Sequence, residues 1–356
     1  MPQTWNLALA GHLLRRTTFG FTSAQLQQAL ADGPAKTINR LLAVPPDQVA
    51  FEQSVAALIP PEATSQDSGQ VWLYRMRNSP YPLLEKATLF WYNFFGVAGS
   101  RVPQPGLMEQ HITLLRKHAL GRFDQMLLAV AQDPAALLAN GPPPLVDREA
   151  FSGVTVLRGE YHFDPARHRG NLSPEDAVRK TLSEPATAQT VVRRVGRWLL
   201  ADATPPASLT EAFAHDYDIG KLIAGILRSD QFLDGYRQDI KSPLEFALNL
   251  AIPLGVTLPP AELQADLSAL GQRIPDPPSR DGWPGGRRWL NHYTIVGRSH
   301  LAADIIAKAE HPPDRQTLLN TLIQNDAPRE VLQSLAQLDG NELAKAIANL
   351  PEFQLS

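Results

Sequence analysis

PLLEKATLFWYNFFGV, residues 82–97, is the stretch on which the fold turns. Pro82 suits the first turn of a helix, where a missing N–H has no partner to lose. Beyond it Leu83, Ala87, Phe90, Phe94 and Val97 recur at steps of four and three, which sets them along one helical face. Leu84, Trp91 and Phe95 widen that stripe until little polar face is left. The segment is therefore expected to be a central helix, and the most buried one in the chain.

Outward from this helix the same signals repeat. Residues 5–16 read as a first helix, and Thr22 with Gln25 reads as a capping box opening a second. Residues 105–131 read as two helices divided at Gly121. Asp133-Pro134, Ser173-Pro174 and Ser242-Pro243 each join a capping side chain to a first-turn proline. Val191, Val195, Trp198 and Leu199 form one inward stripe, and Ile219, Leu222, Ile223, Ile226 and Leu227 form another. No run shows the period-two alternation of β-branched residues that a strand needs. The expected fold class is mainly α, an irregular multi-helix globular array with long Pro/Gly-rich ordered loops. The expected organisation is a single large helical domain over 1–356, divisible into an N-terminal helical half (1–140), an irregular loop (141–172) and a C-terminal helical half (173–356).

The most irregular of those loops is LGQRIPDPPSRDGWPGGRRWLN, residues 270–291. Four prolines remove backbone donors, and Gly282, Gly285 and Gly286 permit left-handed backbone or close approach. A flexible linker would be poor in tryptophan, whereas Trp283 and Trp289 offer large apolar anchors to a helical core. Two readings stay open, a structural plug held by its rings and a rim facing a ligand. Trp283 reads first as structural, and Arg287 and Arg288, whose charges must stay near water, read as contact residues. Trp283 and Asn291 complete the candidate binding set.

With 356 residues, 44% of them hydrophobic, the chain can build a large core. Its 33 Lys and Arg against 36 Asp and Glu give a net charge of -3, which is no footprint for nucleic acid. The absence of cysteine excludes disulfides, a disulfide-linked partner and thiolate chemistry. No window approaches the roughly 18 uninterrupted apolar residues of a membrane span. MPQTWNLALAGHLLRR lacks the basic start of a signal peptide, so the chain as written is expected to be cytoplasmic, with export in complex with a signal-bearing partner left open.

Chemistry-bearing residues are few. His111 and His118 share a helical face but lie two turns, about 10 Å, apart, too far for one metal ion. They read as capped or core histidines. Glu149, Glu160, His162, Asp164 and His168 form a carboxylate and imidazole cluster in the 139–176 stretch, which reads first as a surface loop and alternatively as a site of metal or acid-base chemistry. No ligand spacing recurs, so neither a metal nor a cofactor is expected. Phosphate-loop, dinucleotide, HExxH and GxSxG patterns are missing as well.

Several ordered motifs carry a resemblance. His12–Gly20 (HLLRRTTFG), Phe90–Phe95 (FWYNFF), Arg116–Gly121, Glu184–Leu200, Lys241–Leu248 and the Gly282–Asn291 run together resemble a widespread bacterial family catalogued as a domain of unknown function, number eighteen hundred. The resemblance implies a fold and no activity. It also implies a partner, because relatives are often encoded beside an exported alkaline-phosphatase-like protein. Phe94 stands where that family usually has histidine, and the family's polar insertion is reduced here to Arg148-Glu149 and the Tyr161–His168 run. Arg15 and Arg16 read as solvated or paired with a carboxylate, and alternatively as an anion site. The functional expectation is a non-enzymatic partner or scaffold. The alternative is a hydrolase-like enzyme using Glu149, His162, Asp164 and His168 near Arg287 or Arg288.

Overall fold

The computed structural model describes residues 4–44, 49–140, 173–201 and 203–356. Twenty α-helices and two short 3-10 turns account for its regular structure, and the described residues contain no strand. The fold is mainly α.

The chain opens with α1 (Leu7–Thr17), α2 (Ser23–Leu42), α3 (Val49–Ala56) and α4 (Ser65–Asn78). Asn6 caps α1, and Thr22 and Thr64 each form a reciprocal capping box. α5 (Pro82–Phe95) starts on its proline and ends on Gly96 in the left-handed conformation. α6 (Leu107–His118) and α7 (Phe123–Ala131) flank the break at Gly121, and α8 (Pro134–Asn140) starts where Asp133 accepts the Ala136 N–H at 2.8 Å. After the undescribed stretch come α9 (Pro174–Ser183), α10 (Pro185–Leu200), α11 (Ala207–Asp216), α12 (Ile219–Leu227) and α13 (Asp230–Asp234). Ser242 caps α14 (Pro243–Ala251) with a box closed by Glu245, and α15 (Pro260–Ala269) follows. The chain ends with α16 (His292–Ala307), α17 (Arg315–Leu322), α18 (Arg329–Ser334), α19 (Gly340–Ala348) and α20 (Pro351–Gln354). α16 starts at His292, because the Asn291 side chain accepts the N–H groups of Tyr293 and Thr294 and sets the N-cap there.

α5 packs against α1, α2, α4 and α6, and Trp91 and Tyr92 are fully buried. It is not the most buried helix. In α14 every residue except Glu245 is buried, whereas in α5 Phe90 is half-buried, stacked on Trp198 at 4.8 Å. The wide apolar stripe of α5 also draws in its polar residues: Glu85, Lys86 and Thr88 are buried, Thr88 donating to the Leu84 carbonyl of its own helix and the two charged groups pairing with other elements. Lys86 donates to the Arg15 and Thr18 carbonyls and pairs with Glu245 at 2.9 Å, and Arg116 pairs with Glu85 at 2.8 Å. Burial pushes the Glu85 carboxyl up against the pull of Arg116.

Arg15 and Arg16 are not solvated, for they are 2% and 4% exposed. Arg16 pairs with Asp239 at 2.8 Å and also donates to Ser356 and to the Trp198 carbonyl, while Arg15 donates to Gln324. These partners follow α1 in sequence by about 180 residues or more, so no local pattern announces them.

Candidate functional site

The 270–291 loop is held to α5 by complementary features of both segments. Gly96, at φ 59°, brings the end of α5 against the Arg280 carbonyl, where an added Cβ would stand 2.1 Å from the oxygen. Two residues on, Gly282 at φ 87° lies against Asn93, whose Oδ1 would meet a Cβ at 2.0 Å. Only glycine fits either place. The same Asn93 oxygen accepts the Trp283 backbone N–H at 2.5 Å. Trp283 is 7% exposed and stacks on Tyr92, with ring centroids 5.9 Å apart, and the Tyr92 hydroxyl donates to the Pro275 carbonyl. Trp289 is 5% exposed, and its carbonyl accepts the Thr294 hydroxyl at 2.9 Å. Both indoles thus anchor the loop from within.

What the loop leaves outside is a mixed surface. Arg287 and Arg288, in the 3-10 turn Gly286–Trp289, are exposed and have no ion-pair partner among the described residues. Asn291 is exposed, with Oδ1 engaged in capping, and that cap fixes the direction in which α16 leaves the loop. The first turns of α16 then present Tyr293 at 77% exposure and Ile295 and Val296 at 54% each. Three of the five exposed large apolar side chains among the described residues therefore fall within four consecutive positions. Further along α16, Arg298, Leu301, Ala302 and Ile305 are buried, and the helix packs on α14 and α19. The result is a rigid platform carrying an aromatic ring, two branched aliphatic chains and two guanidinium groups. Interface cores favour aromatic residues and arginine.

A second polar arrangement lies inward of the loop. His111 Nδ1 sits 2.7 Å from Asp133 Oδ2, with the two side chains 0% and 3% exposed. The imidazole edge faces Tyr92 at 5.5 Å, and its Nε2 has no hydrogen-bond partner. This is a core histidine with a carboxylate orienter, and it does not share a site with half-exposed His118. Phe94, where a histidine was expected from the resemblance, is packed among Trp91, Phe95 and Phe123 with the Arg194 guanidinium 4.5 Å above its ring. Among the described residues no group of three or more His, Asp or Glu could hold a metal ion.

Glu149, Glu160, His162, Asp164 and His168 lie outside the described residues. The described residue that precedes that stretch, Asn140, is tied to the loop, for Arg280 donates to its carbonyl at 2.9 Å. Of the binding candidates, the structure sets Arg287, Arg288 and Asn291 at the surface and Trp283 inside. Sequence reasoning passed over Tyr293, Ile295 and Val296. A signal was present, since Tyr293 and Val296, three apart, fall on the helical face opposite the Arg298–Leu301–Ala302–Ile305 stripe.

No described helix is long and apolar enough to cross a membrane. No curated protein and no solved structure matches the chain. A family model described as protein of unknown function (DUF1800) matches residues 12–138 and 148–355, ending one residue short of the chain's last. The match takes in the His12–Gly20 motif, the α5 motif and the whole tryptophan loop, and the chain belongs to that family.

Proposed function

We propose that this protein is a non-enzymatic helical scaffold that docks a protein partner through Arg287, Arg288, Tyr293, Ile295 and Val296. The observation that supports this reading is the exposure of three large apolar side chains beside two exposed guanidinium groups on a platform fixed by Trp283, Trp289 and the Asn291 cap. Such a patch is costly to leave in water and complements a surface with an apolar recess bordered by carboxylates. The family resemblance makes an exported alkaline-phosphatase-like protein the partner to test. Trp283 supports the surface from below and takes no part in the contact itself.

Co-purification of the tagged chain with such a partner is the direct experiment. Wild-type capture that is lost on Arg287→Glu with Arg288→Glu, and weakened by Tyr293→Ala, is the expected result. Equal recovery by all variants removes the surface from the account.

One observation favours a second reading, hydrolase-like chemistry. The His111–Asp133 pair, with Nε2 unpartnered, has the arrangement of a base and its orienting carboxylate, and it stands near the origin of the stretch bearing Glu149, His162, Asp164 and His168. Loss of a hydrolytic activity in His111→Gln, without loss of fold, would favour that reading over the scaffold.

A further inference from the structure

Two turns meet over the side chains of α1. One is Gly235–Asp239, between α13 and α14, and the other is Gln324–Asp326, after α17. Arg237 bridges them, donating to the Asp326 carbonyl at 2.5 Å and to the Ile323 carbonyl at 2.6 Å, and the Tyr236 hydroxyl donates to Asp326 at 2.7 Å. Arg237, Gln324 and Asn325 all hold positive φ, at 55°, 55° and 51°, a conformation that non-glycine residues keep only where their surroundings enforce it.

Arg15 reaches this junction from α1. It donates from Nη1 to Gln324, while Nε and Nη2 meet no carboxylate or carbonyl among the described residues; the acceptor nearby is the Tyr236 hydroxyl oxygen, which keeps its lone pairs while its own proton goes to Asp326. The guanidinium carbons of Arg15 and Arg237 lie 5.5 Å and 5.0 Å from the centroid of the same Tyr236 ring. Nε of Arg237 likewise has no acceptor, nor has Nε of Arg298 nearby in the same cationic group. Arg15, Arg16, Lys86, Arg237, Lys241 and Arg298 are gathered here, and the carboxylates that pair with them are Glu245, Asp239 and Asp326. Positive charge is in excess, and buried N–H groups are in want of oxygen. Burial holds Arg15 and Arg298 at about 10 and pushes Lys241 well down, as a group crowded with its own charge would be. The approach from solvent is short, since Arg237 is 11% exposed and Asp326 50%.

We propose that Arg15 and Arg237, set about the Tyr236 ring, form a binding site for a tetrahedral oxyanion, either orthophosphate or the phosphate of a monoester. An oxyanion supplies acceptors in the plane of each guanidinium fork, which water does only singly, and offsets the surplus charge. The site shares no residue with the docking surface, so either can fail alone.

Titration calorimetry and thermal melts of the full chain test this, with sodium phosphate against sodium chloride at matched ionic strength. A saturable heat and a rise in Tm with phosphate alone are expected. Arg237→Gln, at the accessible edge, should weaken phosphate about tenfold through loss of one charge-assisted contact while keeping the wild-type circular dichroism spectrum. Arg15→Lys, which keeps the charge and removes the fork, should weaken it as well. A parallel titration with glycerol 2-phosphate separates the sources: binding comparable to orthophosphate indicates an ester, and binding of orthophosphate alone indicates the free ion. Melting that follows ionic strength irrespective of the anion overturns the site, as does unchanged phosphate affinity in Arg237→Gln.

Discussion

His12 shows how a single side chain records its surroundings. It is 1% exposed, its Nε2 lies 2.9 Å from the Phe232 carbonyl, and burial together with Arg15 and Arg16 pushes its pKa well below 6.5. The imidazole is therefore neutral in the folded chain and donates from Nε2. Unfolding releases it to its ordinary value, so below about pH 6.5 the unfolded chain binds the extra proton and stability falls as the pH falls. The slope from this one group approaches about 1.4 kcal/mol per pH unit. A ring resonance that stays neutral at pH 5.5 in NMR is the expected outcome, and a normal titration near 6.5 contradicts it. Glu245 works at lower pH. Burial alone would raise its carboxyl, but Lys86 and the Ser242 N–H hold it at about 2. The stability this provides is complete above its ordinary value near 4.5 and is lost as the pH drops from there toward 2. Glu245→Gln should flatten that part of the acid-denaturation profile, at the cost of leaving Lys86 buried without its carboxylate.

At the scale of elements, capping and helix entry were legible from the sequence because they are local. Thr22 with Gln25, Ser173 with Pro174 and Ser242 with Pro243 all open their helices as their spacing indicates. The inward role of Trp283 and Trp289 was legible too, because an ordered loop rich in proline and glycine needs large rings to hold it. The burial of Arg15 and Arg16 was not. Whether a guanidinium is solvated or enclosed depends on Asp239 and Gln324, 223 and 309 residues away, and no local periodicity encodes such partners. The same holds for the exposed Tyr293–Val296 turn, where a hydrophobic residue is ordinary until the neighbouring elements are known. The clamp between α5 and the tryptophan loop gives two contrasting expectations. Trp283→Ala removes a ring stacked on Tyr92 and should cost about 3 to 5 kcal/mol, readable as a lower denaturation midpoint. Arg287→Glu with Arg288→Glu, both exposed, should change stability by no more than about 0.5 kcal/mol, so that any loss of partner capture reports contact and not folding. A midpoint unmoved by Trp283→Ala would turn that indole from an anchor into a contact residue.

For the whole molecule, the question is whether the two helical halves fold separately. One cluster of buried apolar residues runs from Leu13 to Phe353 and draws on both halves. Polar ties cross between them as well: Lys86 with Glu245, Arg16 with Asp239, Asn249 donating to the Phe19 carbonyl, and Trp283 with Asn93. Cutting the chain near residue 140 would strip α1 and α5 of these partners and leave Arg15, Arg16 and Lys86 as unpaired charges in an open core, which is strongly unfavourable. We propose accordingly that the chain is one folding unit. Far-UV circular dichroism and the fluorescence of its six tryptophans should report a single coincident transition in urea. Segments 1–140 and 173–356, produced separately, should each lack cooperative unfolding, and mixing them should restore it if association is tight enough. Two resolved transitions in the intact chain, or a half that melts cooperatively by itself, would show instead that the contacts across the molecule join two independent domains.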